Sequence, residues 1–206
     1  LIRNCSIIDG TGTPRYNSNI LVENDKIQAI GELSNVTAET IIEADGLICS
    51  PGFIDTHTHS DGILLTEPQH ANALRQGVTT EILGQDGLSY APLSKEKYLE
   101  NRTYLSGILG LPPAELDMSS IESFRTHYHK KVAINTAYLI PHGAIRLNVL
   151  GFQDKPLDKA SMAHAKDLIR EGISQGAVGI ATGMSYFPNA WSDTQELIDL
   201  CKTTAN

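Results

Sequence analysis

Along the first fifty residues apolar and polar positions alternate in short runs, broken by turn-forming residues, and no helical period develops. Ile2 to Ile8 precedes Asp9-Gly10-Thr11-Gly12. Asn19 to Glu23 and Lys26 to Ile30 flank Asn24-Asp25, and Glu39 to Glu43 and Leu47 to Cys49 flank Ala44-Asp45-Gly46. Period-two alternation suits strands with one buried face, and Asn, Asp and Gly suit the tight turns between them, Asn24-Asp25 reading as a two-residue hairpin. Residues 1–50 are predicted to form a small β unit.

After Pro51-Gly52 the pattern changes. Four short β-rich runs, Phe53 to His57, Gly77 to Gly84, Val132 to Ile140 and Ala177 to Thr182, alternate with longer stretches of helical character. Helices are predicted over Pro68 to Gln76, Ser94 to Leu109, Ser119 to Lys131, Asp158 to Ser174 and Ser192 to Lys202, the last capped by Ser192. In the fourth of these, Met162, Ala165, Leu168, Ile169 and Ile173 fall on one face. Strands alternating with helices build a parallel sheet, and a closed eight-stranded barrel takes roughly 250 residues. Residues 51–206 are therefore read as the first four βα units of such a barrel, in a chain that continues beyond residue 206. A complete open α/β sheet is the alternative.

Composition narrows the function classes. The 206 residues are 41% hydrophobic and 19% charged, ordinary for a globular protein with a sizeable core. The net charge is −8 and the 16 Lys and Arg are scattered, which speaks against a nucleic-acid or anionic-membrane partner. No apolar run has the length of a membrane span, and no signal segment stands at the start, although the first residue is Leu1. Cys5, Cys49 and Cys201 form no CxxC pair and read as small hydrophobes in a reducing compartment, with the cytoplasm as the default location.

The stretch richest in chemistry is Phe53-Ile54-Asp55-Thr56-His57-Thr58-His59. Residues two apart on a strand share a face, so His57 and His59 are placed to converge on one metal ion at the C-terminal end of the first barrel strand, where barrel active sites form. Neutral imidazoles suit zinc. Asp55 shares their direction and is either a partner to a ligand or structural. His70, His127, His129 and His164 fall in helices and read as solvated or capping residues.

Pro51-Gly-Phe-Ile-Asp-Thr-His-Thr-His-Ser-Asp61 resembles the first-strand signature of the amidohydrolase superfamily. Three further segments are similar to those of its D-aminoacylase (N-acyl-D-amino-acid deacylase) family. They are Gly77-Val-Thr-Thr80 followed by Gly84-Gln-Asp-Gly-Leu-Ser-Tyr-Ala-Pro92, then His142-Gly-Ala-Ile-Arg146, then Gly176-Ala-Val-Gly-Ile-Ala-Thr-Gly-Met-Ser-Tyr-Phe-Pro188. The resemblance implies a metal-dependent (β/α)8 TIM barrel preceded by a small β-sandwich subdomain, with residues 1–50 the N-terminal part of the latter. It implies one or two Zn2+ ions, hydrolysis of the amide bond of a small-molecule N-acyl-D-amino acid, and a catalytic aspartate and further histidines beyond residue 206, so that these residues alone would be inactive.

By the same resemblance Asp86 occupies the position where D-aminoacylases commonly carry a metal-bridging cysteine. A carboxylate spans two cations as well, which makes Asp86 the third metal-ligand candidate; the alternative is a turn aspartate before Gly87. Tyr186, His142 and Arg146 match segments implied to face the substrate, with a buried structural role as the alternative for Tyr186 and His142. An amidohydrolase acting on cyclic amides, of the hydantoinase or dihydroorotase type, is the competing enzymatic reading. It typically uses a barrel-strand lysine, and Ala177 to Thr182 has none. A non-catalytic barrel homologue is the third.

Overall fold

The computed structural model describes residues 1–205. The chain divides into two compact units, Leu1–Gly52 and the remainder from Phe53. In the first, strand β1 (Ile2–Ile7) pairs antiparallel with β2 (Tyr16–Glu23), which pairs with β3 (Lys26–Gly31). The β2–β3 connection turns at Asn24, whose φ of 56° is one an Asn tolerates. The other edge of β1 is shared end to end by two very short parallel strands, β4 (Ile42–Glu43) against Ile2 and Arg3 and β5 (Ile48–Cys49) against Ser6 and Ile7. Cys5, Ile7, Ile20 and Ala44 form its small core.

The second unit holds a four-stranded parallel sheet whose spatial order follows the sequence: β6 (Phe53–Asp55), β7 (Val78–Leu83), β8 (Asn135–Pro141) and β9 (Gly179–Ala181). Helical crossovers connect them, as parallel pairing demands. Between β6 and β7 lies a single turn, α1 (Ala71–Leu74), where the sequence predicts a helix over Pro68 to Gln76. The run predicted as one helix from Ser94 is two, α2 (Lys95–Tyr104) and α3 (Ser106–Leu109), because Leu105 at φ −87°, ψ 1° leaves the helical conformation. Helix α4 (Ile121–Tyr128) starts at a capping box in which Ser120 and Ser123 satisfy each other's free N–H groups. Helix α6 (Lys159–Ser174) is capped by Asp158 and buries Ala165 and Ile169 completely, with Met162, Leu168 and Ile173 packed beside them. Full burial of one such aliphatic side chain contributes about 1.5–3 kcal/mol.

Two elements depart from the sequence expectation in ways that matter for the site. Helix α5 (His142–Leu150) follows β8 directly and has no counterpart among the predicted helices. Seven of its nine residues are buried, so it has no polar face and hence no amphipathic period to read. Helix α7 (Thr194–Thr204) is capped by Asp193, which accepts from the Glu196 N–H at 2.8 Å, and Ser192 instead closes the preceding 3-10 turn Asn189–Trp191. Among the described residues no helix is long and apolar enough to cross a membrane.

Candidate metal centre

Strand β6 stops at Asp55, two residues short of the first histidine. The Asp55 carboxylate accepts the His57 N–H at 3.0 Å, a local turn that ends the strand, and Thr58 and Ser60 share a 2.7 Å hydroxyl contact just beyond it. The alternation of a strand therefore does not aim the two imidazoles, contrary to the sequence reading; a turn does. His57 remains well exposed, with 63% of its side chain accessible, and His59 is half-buried.

Asp86 approaches from the end of β7. It lies in the 3-10 turn Gln85–Gly87 at φ 55°, ψ 16°, so the turn role and the proximity to both histidines belong to one residue. Its Oδ2 is 3.4 Å from His57 Nε2 and 3.3 Å from His59 Nε2, and one donor atom from each of the three lies within 4.8 Å of the others. These separations are long for hydrogen bonds, which for N–H···O centre on about 2.9–3.0 Å. They match donors sharing a cation, because bonds of about 2.0–2.1 Å in tetrahedral geometry put neighbouring donors about 3.4 Å apart. Two imidazoles and a carboxylate are a donor set suited to zinc, so the residues fit a divalent metal. The ring atom His59 Nδ1 is buried without a hydrogen-bond partner among the described residues.

Next to this cluster Asp61, which the sequence reading passed over, is completely buried. Its Oδ1 accepts from Ser89 Oγ (2.6 Å) and the Gly84 N–H (3.0 Å), and its carbonyl accepts from Tyr128 Oη (2.6 Å). Burial pushes its carboxyl up to about 7 against those hydrogen bonds. Asp61 thereby ties the segment after His59 to the segment on either side of Asp86. The only sequence signal for it is its place in the Thr-His-Ser-Asp run.

His142 and Arg146 occupy a different kind of environment. Both are fully buried, on α5, and both meet Glu196 of α7. His142 Nε2 is 2.8 Å from Glu196 Oε1 and its Nδ1 is 2.8 Å from Thr182 Oγ1. Arg146 Nη1 donates to both Glu196 oxygens (2.7 and 2.6 Å), and Nη2 to the Lys155 carbonyl (2.8 Å). Burial opposes the charge on Glu196, but hydrogen bonds from His142 and Arg146 prevail and hold its carboxyl below the usual range. As they stand, neither His142 nor Arg146 offers surface to a ligand. Tyr186 is half-buried against the main core, in the segment that follows β9. His70 is not solvated: at φ 41° it turns its ring onto buried Glu81, with Nε2 2.8 Å from Oε1.

Comparison with known proteins bears on what this arrangement is. No family model matches the chain. A D-aminoacylase of Alcaligenes xylosoxydans xylosoxydans is 33% identical over 98% of this chain and 41% of its own length. The crystal structure of an N-acyl-D-glutamate deacylase from Bordetella bronchiseptica, complexed with zinc and a phosphonate mimic of the reaction's tetrahedral intermediate, superposes with a TM-score of 0.89. It is 31% identical and covers 99% of this chain and 42% of its own. Along almost its whole length the chain is similar to members of the D-aminoacylase family. An N-acyl-D-aspartate deacylase of Alcaligenes xylosoxydans xylosoxydans is 32% identical over 98% of this chain and 40% of its own length. The chain thus spans about two-fifths of the length of the relatives it matches.

Proposed function

We propose that these residues supply the metal-holding part of a zinc-dependent deacylase that hydrolyses the amide bond of N-acyl-D-amino acids, releasing a carboxylate and a D-amino acid. The observation that carries the reading is the convergence of His57, His59 and Asp86 at the spacing of donors around one cation. When bound, a zinc ion lowers the pKa of a water molecule towards neutrality and polarises a carbonyl oxygen. His57 and His59 hold one or two ions from the end of β6, and Asp86 holds them from the end of β7. Asp61 and the Asp55 turn fix the two segments that carry these donors. Tyr186, half-buried in the segment after β9, is assigned to the substrate by the resemblance alone, while His142 and Arg146 lock α5 to α7 through Glu196 rather than touching the substrate.

The likeness to the deacylase relatives supports a first four βα units of a metal-bearing barrel for residues 51–206, and a β-sandwich part for residues 1–50. The proposal is tested on the full-length gene product reconstituted with zinc. Free amino acid released from N-acetyl-D-amino acids is compared with that from their L-isomers and from cyclic amides. Release from the D-series alone, abolished in the His57→Ala, His59→Ala variant, is the expected result. Turnover confined to cyclic amides would replace the proposal with the dihydroorotase-type reading.

A further inference from the structure

We infer that Asn189 is a positioning residue for the metal ligand Asp86. The inference rests on the metal reading given above. Asn189 opens the 3-10 turn after Pro188 and is completely buried. Its Nδ2 donates to the Asp86 carbonyl at 3.0 Å and to the Gly183 carbonyl at 3.3 Å. Two carbonyl acceptors on that side fix which end of the amide faces Asp86, since only the NH2 group donates. The turn is held in its own right, because the Asn189 carbonyl accepts from both the N–H and the hydroxyl of Ser192.

Asp86 needs such a clamp. Its backbone is in the left-handed region, which an aspartate tolerates but which leaves the carboxylate on an irregular turn rather than on a strand or helix. Its carboxylate is also the only one of the three donors carried on that loop. On the side of Asp86 facing β9, Gly183 packs so closely that a Cβ added there would lie 2.8 Å from the Asp86 Cβ. The Asn189 amide and the Gly183 main chain thus both bear on Asp86 at its carbonyl, and its carboxylate reaches His57 and His59.

The other end of the same amide argues that stability alone does not explain the residue. Asn189 Oδ1 is buried with no hydrogen-bond partner among the described residues. A buried unpaired acceptor costs about 1–3 kcal/mol, which offsets much of what the two Nδ2 hydrogen bonds contribute to stability. What an apolar side chain lacks is the N–H group on the Asp86 carbonyl. Loss of a partner that orients a metal ligand typically lowers metal affinity 10–100-fold.

The test uses cobalt(II), whose visible bands report ligand geometry, added as the metal alone to the chain freed of metal. Asn189→Leu is expected to weaken cobalt and zinc binding by about 10–100-fold and to change the band positions of the residual complex. Gly183→Ala, whose added Cβ would crowd the Asp86 Cβ and carbonyl oxygen, is expected to change the same bands, and it stands as the deciding variant should Asn189→Leu not fold. Leu200→Ala, buried on α7, serves as a destabilised control and should lower the urea midpoint while leaving spectrum and affinity alone. Wild-type affinity and bands in a folded Asn189→Leu variant, or in Gly183→Ala if it is the one that folds, would overturn the inference. So would spectral changes in Leu200→Ala as large as those at position 189. A wild-type chain that binds no cobalt would remove the metal reading itself, a failure distinct from an unaltered variant.

Discussion

Two histidine–carboxylate clusters lie in the same unit and do opposite things. Around Glu196 every contact is 2.6–2.8 Å, the carboxylate is 2% exposed, and a guanidinium grips both of its oxygens. Around Asp86 the carboxylate and imidazoles stop at 3.3–3.4 Å, partly open to solvent, and among the described residues no lysine or arginine pairs with the carboxylate. The first geometry is that of protons already shared. The second is that of donor atoms spaced as around a shared cation. Residue type does not distinguish a structural knot from a metal centre; the closing distance and the identity of the third partner do.

The comparison breaks first at the buried knot. Glu196→Gln leaves Arg146 as a buried, uncompensated charge, and unfolding in urea should show a loss of about 3–5 kcal/mol. Zinc bound per folded chain should not change, because the knot does not ligate. A zinc loss in proportion to the stability loss would merge the two clusters into one site.

At the open cluster the signs reverse. Asp86→Asn keeps a residue that tolerates the left-handed backbone but removes the anionic donor. Zinc affinity should fall by about 100-fold or more, the upper end of what losing even an orienting partner costs, while the urea midpoint of the metal-free chain stays close to wild type. Asp86→Cys should retain zinc, since a thiolate is a competent donor. Competitive titration against a chromophoric chelator measures all three proteins, and equal affinities would reduce Asp86 to a turn residue.

The smallest effect is on the acid limb of stability. The Glu196 carboxyl is held below its unfolded value, so its contribution is present above the ordinary carboxylate range and is lost as the pH falls through the folded value. Stability of the wild-type chain, followed by urea denaturation from pH 6 downwards, should fall more steeply in that acid window than that of Glu196→Gln. Parallel slopes would contradict the shift.

What was legible in the sequence depended on whether a signal was local. The alternation of short strands with helices was legible, as was the apolar face of α6, because periodicity is a local property. Helix α5 was not, since burial on all sides erases its period. His57, His59 and Asp86 were legible as candidates through motif register. The mechanism of their convergence was not, because it depends on the Asp55 turn ending β6 early and on the left-handed backbone of Asp86. The contacts of Asp61, Glu196 and Asn189 stayed hidden for a common reason. Each acts through partners 23 to 103 residues away, and a single chain read in order gives no sign of such pairings.

The central claim is that His57, His59 and Asp86 hold a divalent metal, and X-ray absorption at the zinc edge tests it most directly on the zinc-loaded chain. Metal held by these residues gives a shell of nitrogen and oxygen at about 2.0–2.1 Å with the outer scattering of two imidazoles, lost in the His57→Ala, His59→Ala variant. A sulfur donor at about 2.3 Å, pointing to Cys5, Cys49 or Cys201, or a spectrum unchanged by that variant, would contradict it.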